Sequence, residues 1–211
     1  MMKKAITLAL CALMVAGCFA FTSCNKDDGG KQNDGTSASA GSENGENAGD
    51  TSAAKEIKDV PCKDIVDALA EKFKDVIPAA GGYYFMGADE LSDNFVEPET
   101  MNMWYHGAWD TFAEYDYFAD YAVRLPQGQS AFELHAFKVK DAANINAVLE
   151  MCKSRIEIQT NNSDLKLYAP EAYNQVIPNA TAYAEGNYVF LVITTDTAAA
   201  KDAINSVIYD N

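Results

Sequence analysis

The sequence predicts an α+β domain, a two-layer sandwich in which a mainly antiparallel sheet of about four strands packs against two or three helices. Three observations lead to this fold class. Apolar residues recur at helical spacing in three segments, and two pairs of strand-like segments are joined by short turns. The elements follow the order α-ββ-α-ββ-α, and helices with one apolar face need a sheet to cover. This pattern leaves the strand order open.

Each predicted helix combines an apolar stripe with recognisable end signals. The first is predicted from about Pro61 to Ile77, because proline suits a first helical turn and Pro78 stops the helix. The second is predicted to start after Asp141, since aspartate is a good N-cap. The third is predicted to follow a cap at Thr195 or Asp196.

The predicted strands form two hairpins. Residues 117–125 alternate between apolar and polar side chains, which is typical of a half-buried strand. The turn "PQGQ" follows, and "SAFELHAFKVK" is the predicted return strand. In the second hairpin, Gly186-Asn187 makes the turn, and "YVFLVITT" is apolar enough to predict a central strand.

Residues 1–23 are predicted to be a lipoprotein signal peptide. The start "MMKK" is positive, and an uncharged apolar run extends from Ala5 to Phe21, shorter than a spanning helix. Two cysteines follow small residues and could carry the lipid. "VAGC" at Cys18 matches the lipoprotein pattern more closely than "FTSC" at Cys24. We nevertheless favour Cys24, with Cys18 as the alternative, because the apolar run continues past Cys18 and polar residues begin after Cys24.

Residues 24–54 are predicted to be the lipidated cysteine and a flexible acidic linker, and residues 55–211 a single globular domain. Positions 25–54 contain no aromatic residue and no leucine, isoleucine or valine, so they cannot bury enough apolar surface to fold. Two acyl chains would hold the protein on a membrane. The sequence therefore predicts a lipid-anchored protein of the cell membrane that faces outside the cytoplasm, on the cell surface or the periplasmic side.

The net charge limits the possible partners. The chain carries a formal charge of −15, and removal of Lys3 and Lys4 with the signal changes it to −17. Such a charge excludes nucleic acid as a partner and opposes electrostatic attachment to anionic lipid. The membrane contact is therefore predicted to run through the N-terminal lipid.

Four segments follow one another in the second half of the chain: "SAFELHAFKVKD", "CKSRIEIQ", "YAPEAYNQVIPNA" and "GNYVFLVITTD". In order and spacing they resemble a family of bacterial lipoproteins defined by a domain of unknown function (the 4358 type), over about residues 130–208. The resemblance implies an exported lipoprotein domain, with no activity or catalytic residues to transfer. The matching elements are taken as structural and include Glu133, Arg155, Tyr168, Gly186 and Tyr188.

Arg155 and the two cysteines of the body have structural interpretations. Arg155 lies beside an apolar stripe, so its stem can pack while its guanidinium pairs with a carboxylate, either Glu133 or one in the "YAPE" segment. Cys62 and Cys152 each fall on the apolar stripe of a predicted helix. They could form a disulfide in an exported chain or remain two buried free thiols, and the sequence leaves both open.

Catalytic and metal-binding motifs are missing from the sequence, and no metal or cofactor is predicted. A four-residue hairpin loop would place Asp120 opposite His135. Such a pair could be half of a catalytic triad or a solvated cross-strand pair. The second interpretation is favoured, because no motif supplies a nucleophile.

The span from Asp75 to Val123 is chemically unusual. It contains no lysine or arginine, ten acidic residues and twelve of the 23 aromatic residues of the chain. Aromatics beside carboxylates can bind a basic protein segment, a cation or a carbohydrate. The simpler interpretation is a core of aromatics with a solvated acidic rim. If a ligand site exists, we expect it around "MWYHGAWD", at Trp104, Tyr105, His106, Trp109 and Asp110.

The sequence thus predicts a membrane-tethered binding or interaction module without catalytic activity. One alternative is a small envelope hydrolase that uses Asp120 and His135. Another is a ligand-capture lipoprotein that serves a transporter, although a single compact domain with no second lobe disfavours it. The sequence names neither a ligand nor an envelope type.

Overall fold

A computed structural model of the chain describes residues 55–77, 81–126 and 130–210. The predicted signal peptide, both candidate lipidation sites and the whole predicted linker lie outside these residues. The described part contains a five-stranded antiparallel sheet with the order β1-β2-β3-β5-β4. The strands are β1 (Gly81–Phe85), β2 (Phe118–Pro126), β3 (Glu133–Val139), β4 (Thr181–Glu185) and β5 (Tyr188–Ile193).

Six α-helices accompany the sheet within the described residues. They are α1 (Cys62–Lys72), α2 (Pro98–His106), α3 (Ile145–Thr160), α4 (Ser163–Tyr168), α5 (Pro170–Val176) and α6 (Thr197–Ile208). The α+β class and the antiparallel sheet are confirmed. The strand predicted to be central, β5, is an inner strand with every residue buried.

The helix end signals were largely correct. The Asp196 carboxylate accepts a hydrogen bond from the Ala199 backbone N–H and caps α6. Asp141 accepts from the Ala143 N–H, but it caps a short 3₁₀ segment that leads into α3. The first helix ends at Lys72, earlier than predicted, and residues 73–76 continue as turns.

Strand β1 and helix α2 were not predicted. Strand β1 contains "GGYYF", which shows no alternation of apolar and polar residues. It forms through antiparallel pairing with β2, in which Gly82 lies opposite Leu125 and Tyr84 opposite Val123. Helix α2 begins at Pro98, a favourable residue for a first turn, and is terminated by Gly107, which has the left-handed conformation with φ of 70°.

Helices cover both faces of the sheet, so the domain has three layers where the sequence pattern predicted two. On one face, Tyr105 of α2 packs against His135 and Phe137 of β3. On the other face, the Cys62 N–H of α1 donates to the Asp120 carboxylate of β2, at 2.7 Å. Helix α3 packs against α2 on the first face, and α6 packs against α1 on the second. Because both faces are covered, polar side chains on β3 that resembled a solvated face are buried.

Cys62 and Cys152 are buried free thiols, which decides between the two alternatives that the sequence left open. They lie on different faces of the sheet, in α1 and α3. Burial raises the pKa of both thiols, and the Asp120 carboxylate adds to the effect at Cys62. Both side chains are therefore neutral members of the apolar core.

Two residues of the family resemblance have clear positions at the last hairpin. Gly186 occupies the turn between β4 and β5 with φ of 57°, and a Cβ there would overlap the Ile57 side chain. The Tyr188 hydroxyl accepts from the Val60 N–H at 2.9 Å and donates to the Val60 carbonyl at 2.8 Å. Tyr188 thereby ties the segment before α1 to the sheet. Tyr168, by contrast, is exposed at the end of α4.

Candidate functional site

A groove of roughly 550 Å³ opens beside β1, and its size suits a small-molecule site. One wall is β1 itself, and the opposite walls come from the turn at residues 93–94 and from α2. Residues 125–126 at the end of β2 complete it. Its chemically distinctive side chains are Tyr84, Asp93, Asn94 and Trp104.

Tyr84 and Trp104 form the aromatic part of the groove. Their ring centroids are 5.0 Å apart, with 47° between the ring planes. Gly82 makes this arrangement possible, because a Cβ at position 82 would overlap the end of the Tyr84 ring. The glycine therefore lets the tyrosine ring lie along β1.

Asn94 closes part of the outer edge of the sheet. Its side-chain amide donates to the Tyr83 carbonyl at 2.7 Å, and its backbone carbonyl accepts from the Phe85 N–H at 3.3 Å. An edge strand normally presents such groups to any passing strand. The turn at residues 93–94 thus occupies the groups at the C-terminal end of β1, where the groove begins.

A buried polar network lies next to the groove, between the sheet and α3. Glu133 is fully buried, and Arg155 donates through Nε and Nη2 to its two carboxylate oxygens, at 3.0 and 2.5 Å. Gln159 donates to the same carboxylate. The predicted contact between Arg155 and Glu133 is confirmed. Such a carboxylate is tolerated in a core because Arg155 supplies the opposite charge and three hydrogen bonds reach its oxygens.

Arg155 also connects this network to the groove. Its Nη1 donates to the backbone carbonyl of Trp104, at 3.1 Å. The last carbonyls of a helix have no partner within the helix, and in α2 the Gly107 N–H takes only the Met103 carbonyl. Arg155 satisfies the next carbonyl along the chain. The guanidinium therefore fixes the end of α2 that carries Trp104.

His135 and Tyr105 extend the network into the aromatic core. The Tyr105 hydroxyl lies 2.8 Å from His135 Nδ1, and His135 Nε2 lies 3.4 Å from a Glu133 oxygen. Burial, with a smaller contribution from the Arg155 charge, holds the pKa of His135 well below its usual value. The imidazole is therefore neutral. A proton on Nε2 would let Nδ1 accept from the tyrosine and direct the N–H towards Glu133.

The five residues predicted to bind ligand do not form one site. Trp104 lines the groove, but Tyr105 is fully buried and bonded to His135, so the prediction for Tyr105 is wrong. His106 lies 3.3 Å from the Glu114 carboxylate, away from the groove lining. Trp109 is 69% exposed, and Asp110 accepts a hydrogen bond from the Asn102 amide. Trp104, Tyr105 and His106 are consecutive residues of α2 and point in different directions, whereas Trp109 and Asp110 follow the end of that helix.

The predicted pairing of Asp120 with His135 is wrong. In the β2–β3 hairpin Asp120 lies opposite Lys138, and His135 lies opposite Val123. The connection is longer than a four-residue loop, and β2 contains an irregularity between Phe118 and Asp120. The two side chains face opposite sides of the sheet. Asp120 caps the start of α1, whereas His135 is buried beneath α2.

Sequence reasoning missed three groove residues: Tyr84, Asp93 and Asn94. All three lie within the acidic, aromatic span that the sequence marked as unusual. The signal was present in composition, but their convergence depends on β1, whose pairing is not visible in the local pattern. Among the described residues, no group of three or more histidine, cysteine or acidic side chains is placed to hold a metal ion.

The fold and the groove define the chain as an antiparallel α/β/α sandwich with an open aromatic site at one sheet edge. Residues 114–194 match the model of a family described as a domain of unknown function (DUF4358). The match begins before β2 and ends just after β5. It therefore confirms the resemblance to this domain of unknown function, and it contains Glu133 and Arg155.

The comparisons give no functional relative. Neither the curated proteins nor the solved structures contain a match to this chain. The family match includes Glu133, His135, Arg155 and Gln159 of the buried network but leaves out Tyr84, Asp93 and Trp104. In the part of the chain that the structure describes, no helix is long and apolar enough to cross a membrane.

Proposed function

We propose that the protein is a non-catalytic binding module, tethered to the membrane outside the cytoplasm, which holds its ligand in the groove between β1 and α2. The observation that supports the binding role most strongly is the groove itself. Aromatic rings and the carboxylate of Asp93 line an open cavity, and neighbouring buried groups hold one of its walls in place. Pre-organised concave sites of this kind are the usual places for small ligands.

The proposal of a membrane tether is supported by the signal-like N-terminus and by the composition of the linker. The mature chain would begin at Cys24, carry two acyl chains and present the domain on an acidic linker. Expression of the full-length chain in a bacterial host, followed by membrane fractionation and mass spectrometry, tests this directly. We expect a diacylglyceryl group on Cys24, which Cys24→Ser removes and Cys18→Ser leaves in place.

Two results would contradict the tether. Full-length protein recovered from the cytosol with an intact N-terminus would exclude export. A diacylglyceryl group on Cys18 would retain the tether but overturn the choice of cysteine. Neither result depends on what the groove binds.

The binding role is tested by thermal unfolding of the mature, detergent-solubilised protein. A ligand that binds the folded state raises the melting temperature. We expect a soluble extract of the cell envelope to raise it, and a cytosolic extract to have no effect. Asp93→Asn should reduce the rise, because it weakens binding. An envelope extract without effect on the unsubstituted protein, or an equal rise for the variant, would contradict a groove ligand.

A further inference from the structure

We infer that the ligand of this groove is a neutral oligosaccharide. The inference rests on the proposed function and adds the chemical class of the ligand. Four properties of the groove support it: its charge, its aromatic surface, its free hydrogen-bonding groups and its size.

The charge of the groove disfavours an anionic ligand. Asp93 is the one ionisable carboxylate of the lining, and no lysine or arginine lines the groove. Arg155 lies behind the groove, at the Trp104 carbonyl, and its charge is paired with the buried Glu133 carboxylate. Arg124 and Lys63 lie on the opposite face of the sheet, where Arg124 lies beside α1 and Lys63 pairs with Asp67. A phosphate, a nucleotide or an acidic sugar would meet an uncompensated carboxylate.

The aromatic pair suits the apolar faces of sugar rings. A pyranose presents C–H groups on its faces and hydroxyl groups around its edge. The Tyr84 and Trp104 rings supply flat apolar surface with few rotatable bonds, so ordering them costs little conformational entropy. Partial burial already restricts both rings.

Asp93 and Asn94 supply hydrogen-bonding groups for hydroxyls. The Asp93 side chain is exposed, and its oxygens accept hydrogen bonds. The Asn94 amide N–H₂ already donates to the Tyr83 carbonyl, which leaves the side-chain oxygen to accept. Adjacent acceptors beside an aromatic surface match neighbouring hydroxyls at the edge of a sugar ring.

An extended peptide fits the groove less well. Peptides that bind sheet edges add a strand and use a run of outward backbone groups. On β1, Asn94 already occupies the Tyr83 carbonyl and the Phe85 N–H. A small ammonium group would be attracted by Asp93 but would fill only a small part of the roughly 550 Å³ cavity.

The test uses the full-length mature protein in detergent. Its two tryptophans, Trp104 and Trp109, allow each to be observed alone. In a Trp109→Phe variant the fluorescence reports Trp104 in the groove, and in a Trp104→Phe variant it reports the exposed Trp109. The probes are neutral trisaccharides of glucose, mannose, galactose and N-acetylglucosamine. Trilysine, tetramethylammonium and trigalacturonic acid represent the competing classes.

We expect at least one neutral trisaccharide to change the Trp104 signal saturably, without changing the Trp109 signal. Asp93→Asn should weaken that binding about tenfold, which equals the loss of one good polar contact. Glu90→Gln, at a neighbouring exposed carboxylate, should leave the affinity unchanged. Circular dichroism of each variant verifies folding.

Three outcomes would overturn the inference. The first is no saturable response to any neutral trisaccharide up to about 10 mM, a weak affinity by any standard. The second is binding of trilysine or tetramethylammonium alone, which would retain a groove ligand but change its class. The third is saccharide binding that Asp93→Asn leaves unaltered, which would place the site elsewhere. Stabilisation by an envelope extract in the first case would preserve the binding role and reject only the saccharide.

Discussion

The buried network and the groove are neighbours on the same side of the sheet, yet they use polar groups in opposite ways. In the network, Glu133 is fully buried and accepts hydrogen bonds from Arg155 and Gln159. In the groove, Asp93 is exposed to solvent. A saturated buried carboxylate has little capacity for a ligand, whereas an accessible one keeps its acceptor positions for a partner.

The family match follows the same division. Glu133 and Arg155 fall within residues 114–194, but Tyr84, Asp93 and Trp104 fall outside. The framework and most of the candidate binding surface therefore come from different parts of the chain, since only residues 125–126 of the groove lie within the matched segment. Changes to the network should alter stability first, and changes to the groove should alter binding first.

The largest effect is expected from Arg155→Met. This change leaves the Glu133 carboxylate buried without its counter-ion and removes the partner of the Trp104 carbonyl. Breaking a buried ion pair from one side costs about 3–5 kcal/mol. Urea unfolding of the full-length protein, monitored by circular dichroism, measures the free energy of unfolding.

The double variant Glu133→Gln with Arg155→Met is the control. Because it removes both charges, we expect it to recover more than half of the lost stability. A single Arg155→Met variant as stable as the unsubstituted protein would show that the pair is not structural. In that case the comparison between network and groove would fail.

A smaller effect is expected from pH, through His135. Its pKa lies below the usual value in the folded state, while the unfolded chain should titrate near pH 6.5. The unfolded state therefore binds the extra proton first, and stability falls as the pH drops below about 6.5 towards the folded pKa. The loss should reach about 1.4 kcal/mol near pH 5.5.

The charged and titratable groups around His135 are Glu133, Arg155 and Tyr105. Chemical unfolding at several pH values should show the loss in the unsubstituted protein and a smaller one in His135→Gln. His106→Gln, at the other histidine of the chain, is the matched control. Identical pH profiles for His135→Gln and the unsubstituted protein would exclude His135 as the source.

The next prediction tests whether the Asp120 carboxylate caps helix α1. Pro61 provides no side-chain cap for α1, and the Asp120 carboxylate on β2 accepts from the Cys62 N–H instead. Loss of a helix cap costs about 1 kcal/mol. We expect Asp120→Ala to lower the free energy of unfolding by this amount, and Asp116→Ala, at an exposed position, to change it little. Equal values for the two variants would remove the capping role.

A still smaller change in stability is expected from Gly82→Ala. The added Cβ would meet the flexible end of the Tyr84 side chain, which can move aside. Stability should change by less than about 1 kcal/mol. Because the ring moves, saccharide affinity should nevertheless fall, as calorimetric titration would show. Unaltered affinity would mean that Tyr84 does not contribute to binding.

The sequence predicted the parts of the fold that local patterns determine. Apolar stripes located α1, α3 and α6, and aspartates marked two helix starts. Strand β1 was not predicted because "GGYYF" forms a strand only through its pairing with β2. The helical layer that covers the Glu133 and His135 face of β3 was not predicted. These two residues alternate with apolar residues along the strand, as the residues of a solvated face do. Only the distant Arg155 and Tyr105 make their burial favourable.

The candidate site was predictable in composition and not in geometry. The acidic, aromatic span contains the groove residues, and Trp104 was named among them. Tyr105 was misplaced because adjacent positions on α2 point to the groove and to the core. The pairing of Asp120 with His135 failed because one hairpin loop length determined the whole register.

The most direct test of the division between framework and groove is a paired measurement on Asp93→Asn. The free energy of unfolding and the affinity for a neutral trisaccharide are measured on the same preparation of full-length mature protein. We predict a free energy of unfolding within about 0.5 kcal/mol of that of the unsubstituted protein, as for most surface changes. The affinity for the trisaccharide should be about tenfold weaker. Unchanged affinity, or weaker binding accompanied by an equivalent loss of stability, would contradict the account.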